Sequence, residues 1–352
     1  VSCALRRCSP SPCSTRTVWL RPRARYKMNG CVCSQWMSSF GVAVAGHRNR
    51  RVMQALRRQI GRLPHGMGDV HPPALKVKLL EALAAVSPIA DPRIVLTCSG
   101  AEAVEVALKT ARLATGRPGV VAFGGAYHGL TYGALSVTDR DLFRAPFADQ
   151  LNPHVLRAAF PDSYRPSPEL DADDPGGSAL AHVRALLESD DGGAVGAVIV
   201  EPIQGRGGDI VPPAGFLRGL ADLCRERGLL LIVDEIYTGL GRAGSWFACE
   251  DEGVVPDLLC VGKALSGTLP IAACIGSREV MESWPTSGGE AIHTSTFLGN
   301  PLACAAGLAS LGEIKRRDLV VRSASEGERW MKELCDTLAV HRTVGEVRGR
   351  GL

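Results

Sequence analysis

The chain has 352 residues, 45% of them hydrophobic and 22% charged, enough for a large core and more than one domain. No apolar stretch approaches the ~20 residues that a membrane-spanning helix needs. The net charge of +4 hides an asymmetry: residues 1–68 carry 13 basic and no acidic side chains, whereas the remainder carries 27 basic against 36 acidic, so the basic balance does not describe a nucleic-acid face on the body.

Residues 1–37 are rich in Arg, Ser, Pro and Cys, show neither helical nor strand periodicity, and begin with Val. A transit peptide, a misread reading frame of a GC-rich gene and a disordered tail all fit this composition. The abrupt onset of ordinary patterning at Ser38-Ser39-Phe40-Gly41 favours the second, and no function is assigned to the segment. Five of the 12 cysteines fall before residue 34. Cys224, Cys260 and Cys274 lie inside apolar runs and read as small buried hydrophobes of a reducing, cytoplasmic compartment. Cys31-Val32-Cys33 has no second Cys/His pair at zinc-like spacing, so no metal site is expected.

In the body, Val52, Leu56 and Ile60 form a helical stripe, and Leu75 to Val86 reads as a second amphipathic helix behind Pro72-Pro73. Arg93 to Thr97 is a short strand, followed by Ser99-Gly100-Ala101 and a helix over Ala103 to Thr115. Gly119 to Phe123 is the next strand, and Pro161 to Gly177 reads as a surface loop. Val195 to Glu201 is a buried strand, and Phe216 to Arg227 a helix stopped by Gly228. Leu229 to Val233, Leu258 to Val261 and Ile271 to Gly276 are core strands, and a long helical stretch runs from Pro301 to about Leu338, as helices Pro301–Lys315 and Leu319–Leu338. Continuous apolar strands alternating with helices imply an α/β fold, a mostly parallel central sheet covered by helices.

The chemistry concentrates at strand ends. Lys263 follows the run Leu258 to Gly262, and Asp234-Glu235 closes the run Leu229 to Val233. A lysine with an apolar approach and a distant strand-end aspartate suits pyridoxal phosphate (PLP): the lysine forms the Schiff base, and the aspartate keeps the pyridine nitrogen protonated. Ser99-Gly100-Ala101 at a strand-to-helix junction suits phosphate, although a simple Ser99 N-cap is the plainer reading of those residues alone. In Gly124-Gly125-Ala126-Tyr127-His128-Gly129 an aromatic could stack on a ring or be a packed loop residue. Glu201 ends a strand at the edge where α/β sheets bind ligands, and His293-Thr294-Ser295-Thr296 offers hydroxyls ahead of a helix.

In this order the motifs resemble those of the class III, fold type I PLP-dependent aminotransferases, over roughly residues 38–352. The most specific piece is Asp234-Glu235-Ile236-Tyr237-Thr238-Gly239-Leu240-Gly241-Arg242, then Pro256-Asp257, then Lys263. The resemblance implies that Lys263 carries PLP and later moves the proton, and that Asp234 pairs with the pyridinium. It implies that Ile236 and Tyr127 cover the two ring faces, with His128 beside the cofactor, and that Ser99, Gly100 and Ala101 hold the phosphate. Thr296 would reach the partner subunit's phosphate in a homodimer, and Glu201 would sit near the substrate, paired with an arginine of a small domain. The substrates implied are an amine donor, either an ω-amino acid or a diamine, and an α-keto acid acceptor. An aminomutase or racemase of the same fold, or an inactive truncated fragment, is the alternative.

Two departures and one further likeness stand out. Tyr237 occupies the position of a glutamine that usually bonds the PLP phenolic oxygen. Leu130 stands where 4-aminobutyrate and acetylornithine enzymes usually place a carboxylate-binding arginine. Asp139 to Phe147 is similar to the matching stretch of diamine transaminases. By the same resemblance, 38–60 opens the small domain, 61–305 is the PLP-binding domain, and 306–352 begins a C-terminal part of the small domain that is expected to be incomplete.

Overall fold

The structure is a computed structural model that describes residues 40–68, 70–289 and 291–352, together with the backbone of Ser2–Cys3. The remainder of the Arg- and Cys-rich segment, including Cys31-Val32-Cys33, lies outside the described residues.

Seven strands form the central sheet: β1 (Arg93–Thr97), β2 (Gly119–Phe123), β3 (Val155–Ala158), β4 (Val195–Val200), β5 (Leu230–Asp234), β6 (Leu258–Val261) and β7 (Ala272–Gly276). Their spatial order is β1-β7-β6-β5-β4-β2-β3. The four pairings from β6 to β3 are parallel, and β7 runs antiparallel to both β6 and β1. Because β7 opposes both neighbours, β1 points the same way as β6. The carboxyl ends of β1, β6, β5, β4 and β2 therefore meet along one edge, where ligands bind in open α/β sheets.

Among the described residues the α-helices longer than one turn are α1 (Arg50–Ile60), α2 (Ala74–Ala84), α3 (Gly100–Thr115), α4 (Tyr132–Val137), α5 (Pro175–Glu188), α6 (Phe216–Arg227), α7 (Pro301–Arg316) and α8 (Leu319–Leu338). Alternation along the strands divides the core. Leu231 and Val233 of β5 join Leu79, Val183, Leu220 and Ile314 on one face. Ile232 joins Ala103, Val104, Ala107 and Ala134, from α3 and α4, on the other. The strands are almost wholly apolar because both faces are covered.

The expected strands and helices recur with small shifts at their ends, and two differences have clear causes. Helix α3 starts at Gly100, not Ala103, because the Ser99 hydroxyl accepts from the Glu102 amide and caps it there. The two helices expected after Pro301 are present, the break between them falling where Asp318 takes a left-handed backbone, φ 49°. The loop expected to reach Gly177 ends earlier: Pro175 and Gly176 are buried in the first turn of α5, which Asp174 caps. Strand β3 and helices α4 and α5 were not anticipated. Among the described residues no helix is long and apolar enough to cross a membrane.

Candidate active site

Asp234 is the last residue of β5, and only 4% of its surface is exposed. Its Oδ1 accepts from the Ile236 amide at 3.0 Å and its Oδ2 from His128 Nδ1 at 2.8 Å. With the proton on Nδ1, His128 Nε2 is left buried and without a hydrogen-bond partner among the described residues. The carboxylate is thus oriented from two sides, and His128, anticipated only as a neighbour of the cofactor, is its direct support.

Lys263 begins the turn after β6, with a left-handed backbone at φ 38°. Its Nζ lies 5.2 Å from the centre of the Tyr237 ring. Burial pulls its pKa below the ordinary lysine value, the charges of Asp234 and Glu201 push it back up, and that of Arg206 lowers it again. The amine is therefore biased toward the neutral, nucleophilic form while two carboxyl groups remain within electrostatic reach.

Glu201, buried directly after β4, has its pKa raised to about 7, chiefly by burial and further by the charge of Asp234. Oε2 accepts from the Tyr127 amide at 2.9 Å and Oε1 from the Gly205 amide at 3.3 Å. It thereby ties the Tyr127 loop to the turn Gly205–Gly208, and among the described residues it makes no ion pair with an arginine. Tyr237 donates its hydroxyl to Asp209 Oδ1 at 3.1 Å, and burial with that carboxylate raises its pKa to about 12. The hydroxyl is committed to Asp209, and what Tyr237 offers Lys263 is its ring.

Ser99, Gly100 and Ala101 sit where β1 turns into α3. Ser99 caps the helix, while the Gly100 and Ala101 amides have no acceptor among the described residues. A Cβ on Gly100 would lie 2.8 Å from Ile236 Cδ1, so the absence of a side chain lets the phosphate turn and Ile236 pack together. Thr296 is exposed, and no recorded contact joins it to that turn; its neighbour Ser295 comes within 3.8 Å of Cys98, next to Ser99. Leu130 is also exposed. A groove of about 550 Å³, lined by Leu108, Arg112 and Trp284 among others, contains none of these residues.

The donors fit PLP: a lysine amine whose pKa burial lowers, a braced carboxylate, and two amides unpaired among the described residues at the N-terminus of a 16-residue helix. Two elements escaped sequence reasoning. One is Asp209, the partner of Tyr237. The other is Arg206, whose guanidinium carbon lies 4.4 Å from the centre of the Tyr127 ring. The only sequence signal for Arg206 is its place among the glycines that follow the strand-end acid.

Comparison with known proteins agrees with this arrangement. The family model "Aminotransferase class-III" matches residues 25–352. The chain is 37% identical over 323 residues to a leucine/methionine racemase of Thermococcus litoralis, covering 90% of this chain and 71% of that protein. It is 40% identical over 323 residues to the 4-aminobutyrate aminotransferase of Mycobacterium tuberculosis, covering 89% and 70%. Among solved structures, the ornithine aminotransferase of Toxoplasma gondii, which shows partial occupancy of PLP at its active site, superposes with a TM-score of 0.78 at 31% identity, covering 90% of this chain and 70% of that one. The chain belongs to the class-III aminotransferase family. It is an α/β enzyme of fold type I with PLP as its cofactor.

Proposed function

We propose that the chain moves an amino group from an ω-amino acid or a diamine to an α-keto acid, with PLP held covalently by Lys263. The observation that carries this reading is the Lys263 amine, set over the Tyr237 ring just past the carboxyl end of β6, its pKa lowered by burial and within the field of Asp234 and Glu201. When bound, PLP supplies an aldehyde that takes up the donor nitrogen and a ring that draws off the electron pair left on the donor carbon.

The residues divide the remaining work. Asp234, braced by His128, holds a proton on the ring nitrogen. The amides of Gly100 and Ala101 receive the phosphate at the positive end of α3. Ile236 and Tyr127 confine the ring, and Glu201 fixes the Tyr127 loop. The Lys263 amine, once released, carries the proton at the donor carbon. Thr296, exposed beside Phe297 and Ile292, would serve the phosphate of a second subunit in a homodimer. In this reading residues 38–60 and 306–352 belong to the small domain, and 61–305 to the PLP-binding domain.

The likeness to a leucine/methionine racemase supports a second reading, in which the proton returns to either face of the same carbon and no acceptor is needed. One experiment separates the two. Single enantiomers of amino acids and a panel of ω-amino acids and diamines are incubated with the PLP-loaded chain, with and without 2-oxoglutarate or pyruvate. Transamination gives a new amino acid only when the keto acid is present. Loss of optical rotation without keto acid supports the racemase, and neither change in any combination contradicts both.

A further inference from the structure

Arg206 lies in a short excursion between β4 and α6 that is fastened at several points. Gln204 and Ile210 exchange both backbone hydrogen bonds at 3.0 Å and close its neck. Arg348 donates to the carbonyls of Asp209 at 3.1 Å and Gly208 at 2.9 Å, and Arg140 donates to the carbonyl of Arg206 itself. Glu201 holds the first amide of the turn, at Gly205. On this fixed lobe the Arg206 guanidinium lies over Tyr127, whose ring in turn meets Phe143 edge-on at 6.0 Å.

The charge of Arg206 is unanswered. Among the described residues it makes no ion pair, although it is exposed, and carboxylates of its own strand end and turn are already engaged: Asp209 by the Tyr237 hydroxyl, Glu201 by two backbone amides. Its field reaches Lys263, where it disfavours the protonated amine. Two further arginines come from the segment that carries Phe143, where Asp139 and Asp141 also lie. Arg140 touches the Arg206 backbone, and Arg144, next to Phe143, has its Nε shielded from solvent and without a hydrogen-bond partner among the described residues. A planar guanidinium stacked on an aromatic face, with its fork free and pre-oriented, is a carboxylate receptor.

We propose that Arg206 is the anion-binding residue of the site and takes the carboxylate of an amino-acid donor or of the keto-acid acceptor. This deepens the proposed function and rests on PLP being held at Lys263. It assigns to a residue outside every motif used to read the sequence the task that Leu130 cannot perform. Where the ligand is the donor's carboxylate, the donor is an amino acid and not a plain diamine, despite the diamine-like stretch Asp139 to Phe147; where it is the acceptor's, either donor fits.

The test uses the full chain loaded with PLP, in wild-type, Arg206→Gln and Arg206→Lys forms. PLP uptake is read first, from the absorbance of the lysine-bound cofactor. Binding of glutarate, a dicarboxylate with no amine to react, is then measured by titration calorimetry. Donor selectivity is measured as the ratio of kcat/KM for 5-aminopentanoate to that for pentylamine, and KM is measured separately for 2-oxoglutarate. Loss of a charge-assisted pair is expected to weaken glutarate binding about tenfold in Arg206→Gln, with partial recovery in Arg206→Lys. The selectivity ratio falls similarly if the donor carboxylate is the ligand, and the 2-oxoglutarate KM rises if the acceptor's is. Unchanged glutarate affinity with an unchanged selectivity ratio would overturn the proposal, as would equal losses for 5-aminopentanoate and pentylamine, the mark of a residue that only steadies Tyr127. Failure of the wild-type chain to take up PLP would instead overturn the Lys263 reading, and this proposal with it.

Discussion

Lys263 has a left-handed backbone at φ 38°, which costs a non-glycine residue roughly 1–3 kcal/mol and persists only where the surroundings over-determine it. Here the surroundings are β6 on one side and the turn closed by the bond from the Leu265 amide to the Gly262 carbonyl on the other. The strained position holds the amine over the Tyr237 ring, within the field of Asp234 and Glu201. Asp234→Asn should retain PLP but lower turnover by about a hundredfold or more, because a neutral amide cannot keep the ring nitrogen protonated; near-normal turnover in that variant would assign the task elsewhere. Glu201 titrates near 7, and its negative form favours the protonated Lys263. Glu201→Gln removes that charge, so the lysine pKa falls further and the pH of half-maximal PLP capture should move down. A profile that stays in place or moves up would show that Glu201 acts only through the loops it ties.

At the scale of elements, Gly100 at the junction of β1 with α3 packs against Ile236, so the turn proposed to hold the phosphate and the residue proposed to cover a ring face depend on each other. Gly100→Ala should displace Ile236, cost about 1–3 kcal/mol of stability and weaken PLP binding, both readable in one thermal titration with and without cofactor. Unaltered PLP affinity in a folded variant would separate the two functions of the turn. This junction also shows what the sequence makes legible. Strand-end residues are readable because a buried strand has an unmistakable apolar run and its last residue must point to the edge; Asp234, Lys263, Glu201 and Ser99 all follow from that. Tyr127 and His128 were visible as a motif, but the bond from His128 to Asp234 joins residues 106 positions apart and has no local trace. Arg206 and Asp209 were illegible for a different reason: a polar residue among glycines reads as solvated turn, and only the fold brings Tyr127 beneath one and Tyr237 against the other. Strand β3 was missed because Val155 to Ala158 is short and carries Arg157 inside it, its guanidinium turned to the carbonyls of Ser136, Val137 and Thr138.

At the scale of the molecule, the sheet edge gathers charges whose titration opposes that of the periphery. Glu313 of α7, 3% exposed, accepts from Arg316 and Asn49 and pairs with Arg51, which fastens α1 to the core. Hydrogen bonding to Arg316 above all lowers its pKa from 4.5 to about 2. A depressed folded pKa means stability that is complete above the unfolded value and lost as pH falls through the folded one, so the window runs from about pH 4.5 down to 2. Glu235, buried against Thr238 and the Cys249 amide, is raised to about 7, mainly by burial. Its contribution has the opposite sign, present below about 4.5 and lost as pH rises through 7. Denaturant titrations should therefore show Glu313→Gln losing less stability than wild type between pH 4.5 and 2, and Glu235→Gln losing less between 4.5 and 7; the reverse pattern would contradict the assignments. The measurement that bears most directly on the whole account is to incubate the chain with PLP, fix any adduct with borohydride and map the modified peptide by mass spectrometry, in wild type and in Lys263→Ala. The account requires the pyridoxyl group on Lys263 alone and no stoichiometric adduct in the variant. A stoichiometric adduct on another lysine, or one that survives Lys263→Ala, would contradict it.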